Sequence, residues 1–356
     1  MLTLRNKIGQ MLIMGFSGSE LHESCAVAQW LSQDGLGGVI LFDKEPQQNH
    51  EKNLINLEQI KHLNYQLNHY SWLNRDEVNP LPLFIGIDYE GGAINRLAHI
   101  DDCFTTLSAC ELAKKSPEEI EIEVRQMAET LKFLGFNLNF APVIDLNLQQ
   151  EQGIIGALGR SYSADPHRVI ELARTFVAIF GEYDIASCYK HFPGHGSALE
   201  DTHELCVDVT DTYCEEELIP YRELIKEENI PAMIMSAHVM NRHLDADGLP
   251  ASLSDRVLNK LLRKDLGYQG VVVCDDLQMQ AITQRYSMDE ALKLAINAGT
   301  DMLIFANQWA KVDALEVIER IERLVLEEHI SLERIEEAYS RIARLKNMLV
   351  LNNRSD

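Results

Sequence analysis

From Lys190 to His203 the chain reads Lys-His-Phe-Pro-Gly-His-Gly-Ser-Ala-Leu-Glu-Asp-Thr-His, placing an ammonium group, three imidazoles and two carboxylates in one short stretch. An imidazole two residues from a carboxylate, as in Asp201-Thr202-His203, can be held in one tautomer and kept protonated long enough to donate a proton and later recover one. The same spacing is also common in surface ion pairs, so the chemistry depends on the surroundings. A second candidate is Asp275, which follows the apolar run Gly-Val-Val-Val-Cys and precedes Asp276. A carboxylate at the end of a buried strand is a candidate nucleophile, and the alternative is that it accepts backbone hydrogen bonds while Asp276 caps the next helix. His191, His195, His203 and His238 could instead bind zinc. Pro193 and Gly194 keep His191 and His195 off one helical face, so no metal and no cofactor are expected.

These groups must be positioned by ordered elements. The run Ile185 to Cys188 leads almost directly into Lys190 and His191, which predicts a strand ending where the charged pair begins. Pro193, Gly194 and Gly196 then forbid a helix and predict a loop carrying His195, Asp201 and His203 over a ligand. Similar apolar runs lie at Met11 to Phe16, Gly38 to Phe42, Leu83 to Asp88, Asn137 to Asp145, Ala232 to His238, Gly270 to Asp275 and Asp301 to Ala306. Helical patterns separate them. Ser116 with Glu119 forms a capping-box signature before an apolar stripe that Gly135 stops; Asp165-Pro166 opens a second helix, and Asp211 with Glu215 and Glu216 a third.

Strands alternating with helices predict an α/β fold with a parallel sheet, and eight strands predict a (β/α)8 TIM-type barrel. A doubly wound open sheet is the alternative. In the barrel, Asp88, Asp145, Lys190, His191, His238 and Asp275 end their strands on one face and converge on a single mouth. The 356 residues contain no linker or low-complexity tract. They are expected to form a single domain over 1–356, with C-terminal helices from about 311.

A net charge of −23 disfavours nucleic acid and anionic lipid surfaces. No run approaches the roughly 18 apolar residues that a membrane span needs. Seven cysteines without a Cys-x-x-Cys pair fit reduced thiols and a cytoplasmic setting. Residues Met1 to Phe16 lack a small-residue cleavage site and read as a first strand rather than a leader.

The pattern Lys190-His191-Phe192-Pro193-Gly194-His195-Gly196, followed after four residues by Asp201-Thr202-His203, resembles the signature of the β-N-acetylhexosaminidases of glycoside hydrolase family 3. Further matches are Gly37 to Phe42, Asp88 with Glu90-Gly91-Gly92 and Arg96, Phe140 to Val143 with Asp145, Gly159 to Tyr162, Ser236 to His238, and Asp275-Asp276-Leu277 with Met279. They cover roughly residues 8 to 306.

The resemblance implies a barrel and a retaining mechanism that removes terminal β-linked N-acetylglucosamine. In it Asp275 attacks the anomeric carbon, and His203, supported by Asp201, serves as acid and then base. Asp88, Arg96, Arg160, Lys190 and His191 correspond to positions that hydrogen-bond the sugar hydroxyls. The implied substrate is a small carbohydrate, an N-acetylglucosamine glycoside or a cell-wall muropeptide met during peptidoglycan recycling. Tyr89 and Ala93 depart from a common glutamine and arginine, and Cys274 from the usual serine or threonine. Phosphorolysis through the same intermediate and a sugar-binding barrel without turnover are the alternative functions.

Overall fold

The computed structural model describes residues 2–45, 50–73, 81–149, 152–199, 207–227 and 230–352. Asp201 and His203 lie outside the described residues. Among those described, eight parallel strands occur where the apolar runs predict them: β1 Leu12–Met14, β2 Gly38–Ile40, β3 Phe84–Ile87, β4 Leu138–Asn139, β5 Ser187–Phe192, β6 Ala232–Ser236, β7 Val272–Cys274 and β8 Leu303–Phe305. Nearly every strand residue is buried, the expected state of parallel strands covered on both faces, which is why they read as continuous apolar runs without alternation.

Two parallel sheets result, β8-β1-β2-β3-β4 and β5-β6-β7. Representative register partners are Leu12 with Leu303, Ile13 with Gly38, Gly38 with Phe84, and Ile234 with Val272. Single parallel bridges, Leu138 with Ala186 and Val273 with Met302, link the sheets at both edges. Neighbours follow chain order and β8 lies beside β1, without the reversal of order that marks a doubly wound sheet.

The helix Pro117–Leu134 has the expected capping box at Ser116 and Glu119, and it ends at Gly135 with φ 89°. Helix Pro166–Glu182 starts at the Asp165 cap. The third expected start is displaced. Glu215–Leu218 is a 3-10 turn running into helix Ile219–Leu224, and Asp211 lies in the turn before it. The first strand is also shorter than expected, because Leu4–Gln10 is a helix whose Thr3 cap exchanges hydrogen bonds with Asn6. Asn6, Ile8, Gly9 and Gln10 are its buried residues. An apolar stripe on a short helix reads from sequence much like the strand that follows it.

Helix Leu332–Asn352 lies against the amino ends of β1, β2 and β8. Its fully buried Lys346 Nζ donates to Gly37 O (2.7 Å) and Gln10 Oε1 (2.9 Å). No described helix is long and apolar enough to cross a membrane.

Candidate active site

At the carboxyl ends of the strands lies a cavity of about 820 Å³. One wall begins at Asp88, directly after β3, where the chain forms a hairpin from Tyr89–Gly91 and Ile94–Asn95. Gly91 (φ 102°) makes this turn possible, since a Cβ there would lie 2.2 Å from Leu107 O. The hairpin presents Glu90, which receives a bidentate pair from Arg160 (both 2.8 Å) and an ion pair from Lys190 (2.7 Å). Lys190 also reaches Asp88 Oδ1 at 3.0 Å. Arg96 lies 4.0 Å from Asp88 and 3.5 Å from Asp43.

Burial opposes ionisation of Glu90, but Arg160 and Lys190 outweigh it and hold its carboxyl well below the usual range. Burial likewise works against the Lys190 ammonium, which Asp88 and Glu90 nevertheless keep raised above its ordinary value. The wall is therefore charged, with both signs present. Such groups make the strong, directional hydrogen bonds that hydroxyl-rich ligands require.

Lys190 and His191 lie on β5 beside a register shift between Tyr189 and Phe192, and the Lys190–His191 and Phe192–Pro193 peptides are cis. Behind His191 sits Asp145, which accepts from the His191 backbone N (3.0 Å), from His191 Nδ1 (2.7 Å) and from the His195 backbone N (2.9 Å). Its carboxyl is buried, which alone would raise it, yet His191 holds it below its ordinary value. Asp145 thus makes Nδ1 the hydrogen-bearing nitrogen of His191 and fixes the ring.

Across the cavity, Asp275 follows β7. Its backbone N donates to Ser236 O (3.0 Å), and its Oδ1 accepts from Asp276 N (2.8 Å). Both aspartates border the cavity. Asp276 also braces the strand ends, because its Oδ1 accepts from Gln278 N (3.0 Å) and Ala306 N (3.1 Å) and so ties the end of β7 to β8.

Asp88, Arg96, Arg160, Lys190, His191 and Asp275 all line this cavity, drawn from positions spread over almost 190 residues of chain. Three groups expected at the mouth do not reach it. Asp145 is turned inward onto His191. His238 is buried between Ser252 Oγ (2.6 Å) and Asp276 O (3.0 Å), where it braces the Asp275–Asp276 turn. His195, expected on a ligand-covering loop, is buried with its ring centroid 5.6 Å from that of His191. Burial, with His191 adding to it, pushes His195 down to about 4, so the ring is neutral near pH 7.

Sequence reasoning missed the central role of Glu90, although the alternation Asp88-x-Glu90 places both on one face of an extended segment. It also missed Glu217, buried under the Pro-Gly turn, where Oε2 accepts from Gly196 N at 2.8 Å. Burial pushes that carboxyl up to about 7. Tyr89, one of the departures from the family pattern, is fully buried with its hydroxyl on Phe104 O (3.3 Å). Among the described residues, no group of three or more His, Cys, Asp or Glu side chains is arranged to hold a metal ion.

The sequence profile of the glycosyl hydrolase family 3 N-terminal domain matches residues 3–345. A Haemophilus influenzae protein named beta-hexosaminidase is 33% identical, covering 83% of this chain and 79% of its own length. "Beta-hexosaminidase A" of Pseudoalteromonas piscicida is 30% identical over 98% of this chain, which spans 62% of that protein. The solved glycoside hydrolase family 3 beta-N-acetylglucosaminidase of Paenibacillus sp. str. FPU-7 superposes with a TM-score of 0.86 at 32% identity. It covers 99% of this chain, which spans 64% of that structure.

Proposed function

The chain belongs to glycosyl hydrolase family 3, and on that premise we propose that it is a retaining exo-β-N-acetylglucosaminidase. The observation that carries the proposal is the cavity where Asp275 faces the charged wall of Asp88, Arg160, Lys190 and His191. The wall holds the hydroxyls of a terminal sugar, and Asp275 attacks its anomeric carbon to form a covalent glycosyl-aspartate as the leaving oxygen departs. His203, oriented by Asp201, protonates that oxygen and then takes a proton from the water that releases the sugar. An imidazole of near-neutral pKa suits both steps, and it adds no negative charge beside the nucleophile. The usual pair of carboxylates in glycosidases is thereby replaced by one carboxylate and one histidine.

The same reading takes the eight strands as one closed barrel in a single domain, supported by the bridges at both sheet edges. Free Cys188 and Cys274, both buried, fit a reducing cytoplasm, and the substrate proposed for that setting is a cell-wall muropeptide. The test is release of phenol from an aryl N-acetyl-β-glucosaminide, with the matching aryl β-glucoside as control. The expected result is preference for the acetamido sugar, rates indifferent to added phosphate, and a loss of about 10⁴-fold or more in Asp275→Ala. Undiminished turnover in that variant removes Asp275 from the nucleophile role.

A further inference from the structure

The cavity wall opposite the charged cluster is built differently. Beyond Asp275 the next strand in space is β8, on the side away from β5 and β6. The turn after β8 carries Trp309, which lines the same cavity yet is 59% exposed. An exposed indole at a cavity rim is a large apolar surface left open to solvent, and burial against a ligand is its most favourable use.

The turn that presents it is held from several sides. Asn307 (φ 51°) donates through Nδ2 to Gly15 O (2.9 Å) and Val312 O (3.0 Å), while its Oδ1 accepts from Val312 N (2.8 Å) and Gln278 Nε2 (3.1 Å). Gln278 also donates to Ala310 O (3.0 Å) and accepts from Asn307 N (2.6 Å), and buried Lys52 donates to Asn307 O (2.7 Å). Gln278 lies three residues after Asp275, so these bonds fix the height of the Trp309 turn relative to the carboxylate. The backbone that carries the indole is therefore ordered before a ligand arrives, which lowers the ordering cost of binding against it.

We propose that Trp309 is the platform on which the first ring of the leaving group stacks, so that it selects β-N-acetylglucosaminides whose aglycone is itself a sugar or another flat-faced group. The inference rests on the assignment of the charged wall to the terminal sugar and of Asp275 to its anomeric carbon. With the sugar so held over Asp275 at its strand end, the leaving group departs from the opposite face of the anomeric carbon, toward the open mouth of the cavity whose rim carries Trp309. Sugar rings offer an apolar face of C–H groups to an indole, and loss of such a contact costs about tenfold in affinity.

The experiment compares wild type, Trp309→Ala and Trp309→Phe on the β-linked disaccharide of N-acetylglucosamine and on N-acetylglucosaminyl fluoride, whose leaving group has no ring. In Trp309→Ala the ratio of kcat/KM for disaccharide to that for fluoride falls about tenfold, and Trp309→Phe restores most of it. The same ratio is read by calorimetry in the Asp275→Ala background, as affinity for disaccharide over N-acetylglucosamine. A proportional fall on both substrates, or no fall on either, overturns the platform. If wild type cleaves neither substrate and binds neither sugar, the reading of the site fails first and takes the platform with it.

Discussion

Two buried charge clusters occupy opposite ends of the strands, and they differ in what their charges are left to do. At the carboxyl ends, Asp88, Glu90, Lys190 and Arg160 border a cavity, with Arg96 one-third exposed beside them. At the amino end of β8, fully buried Asp301 takes ion pairs from Arg263 (2.6 Å), Arg334 (2.5 Å) and Arg341 (3.1 Å). Other donors there meet main-chain oxygens, Arg334 at Ile296 O and Thr300 O and Arg263 at Gly270 O and Gly299 O, while Arg334 and Arg341 also pair with Glu337. The first cluster keeps a face toward the cavity. The second is enclosed and clamps helix Leu332–Asn352 to the strands. Buried charge therefore marks a site only where a cavity gives it access.

The largest expected effect tests the enclosed cluster. Asp301→Ala leaves three guanidinium groups without their carboxylate and costs about 3–5 kcal/mol of stability. Thermal unfolding should show a fall of roughly 5 °C, while kcat/KM of the folded protein is maintained. Lys190→Ala should show the reverse pattern: kcat/KM falls about a hundredfold, equivalent to about 3 kcal/mol of transition-state stabilisation, with a much smaller shift in Tm. If Lys190→Ala instead unfolds the protein as readily as Asp301→Ala while sparing turnover, the distinction between the clusters is lost.

Asp145→Asn stands between them, since Asp145 is enclosed but holds a residue of the cavity. Weakening the hold on the His191 ring should lower kcat/KM by about tenfold, measurable against the same aryl substrate, with a moderate loss of Tm.

The smallest effect concerns pH. Glu217 is raised from 4.5 to about 7 in the fold, so the folded state binds the extra proton. Its stabilisation is complete below 4.5 and is lost as pH rises toward 7. His195 is lowered from 6.5 to about 4, so here the unfolded state binds more protons and stability rises with pH between 4 and 6.5. The two slopes oppose each other from about 4.5 to 6.5. Glu217→Gln removes one of them, and stability measured by denaturant titration should then rise with pH in that window, by on the order of 1 kcal/mol per pH unit. A flat profile in the variant contradicts the opposed pair.

Most of the sheet was legible in the sequence because parallel strands buried on both faces leave uninterrupted apolar runs, as at Gly270 to Cys274 and Ile185 to Cys188. The cavity-lining residues were legible for a related reason: charged side chains that directly follow such runs, Asp88 and Asp275 among them, have nowhere to go but the strand ends. Inward-turning groups were not. Asp145, His195 and His238 have the same residue types and similar positions after strands as true cavity residues, and only tertiary contacts decide which way each side chain points. Glu217 and Trp309 carried no local signal at all. Their roles come from what other segments place beside them, the Gly194–Ser197 turn for one and the Gln278 and Lys52 hydrogen bonds for the other. Asp201 and His203, the pair with the clearest motif, lie outside the described residues, and their role is a proposal.

The central claim is a covalent bond between Asp275 and the sugar, and it is tested most directly by trapping. Incubation with a slow fluorinated N-acetylglucosaminide, followed by proteolysis and mass spectrometry, should find one added glycosyl residue on the peptide containing Asp275 and none elsewhere. A label on another side chain, or no label while cleavage continues, contradicts the account.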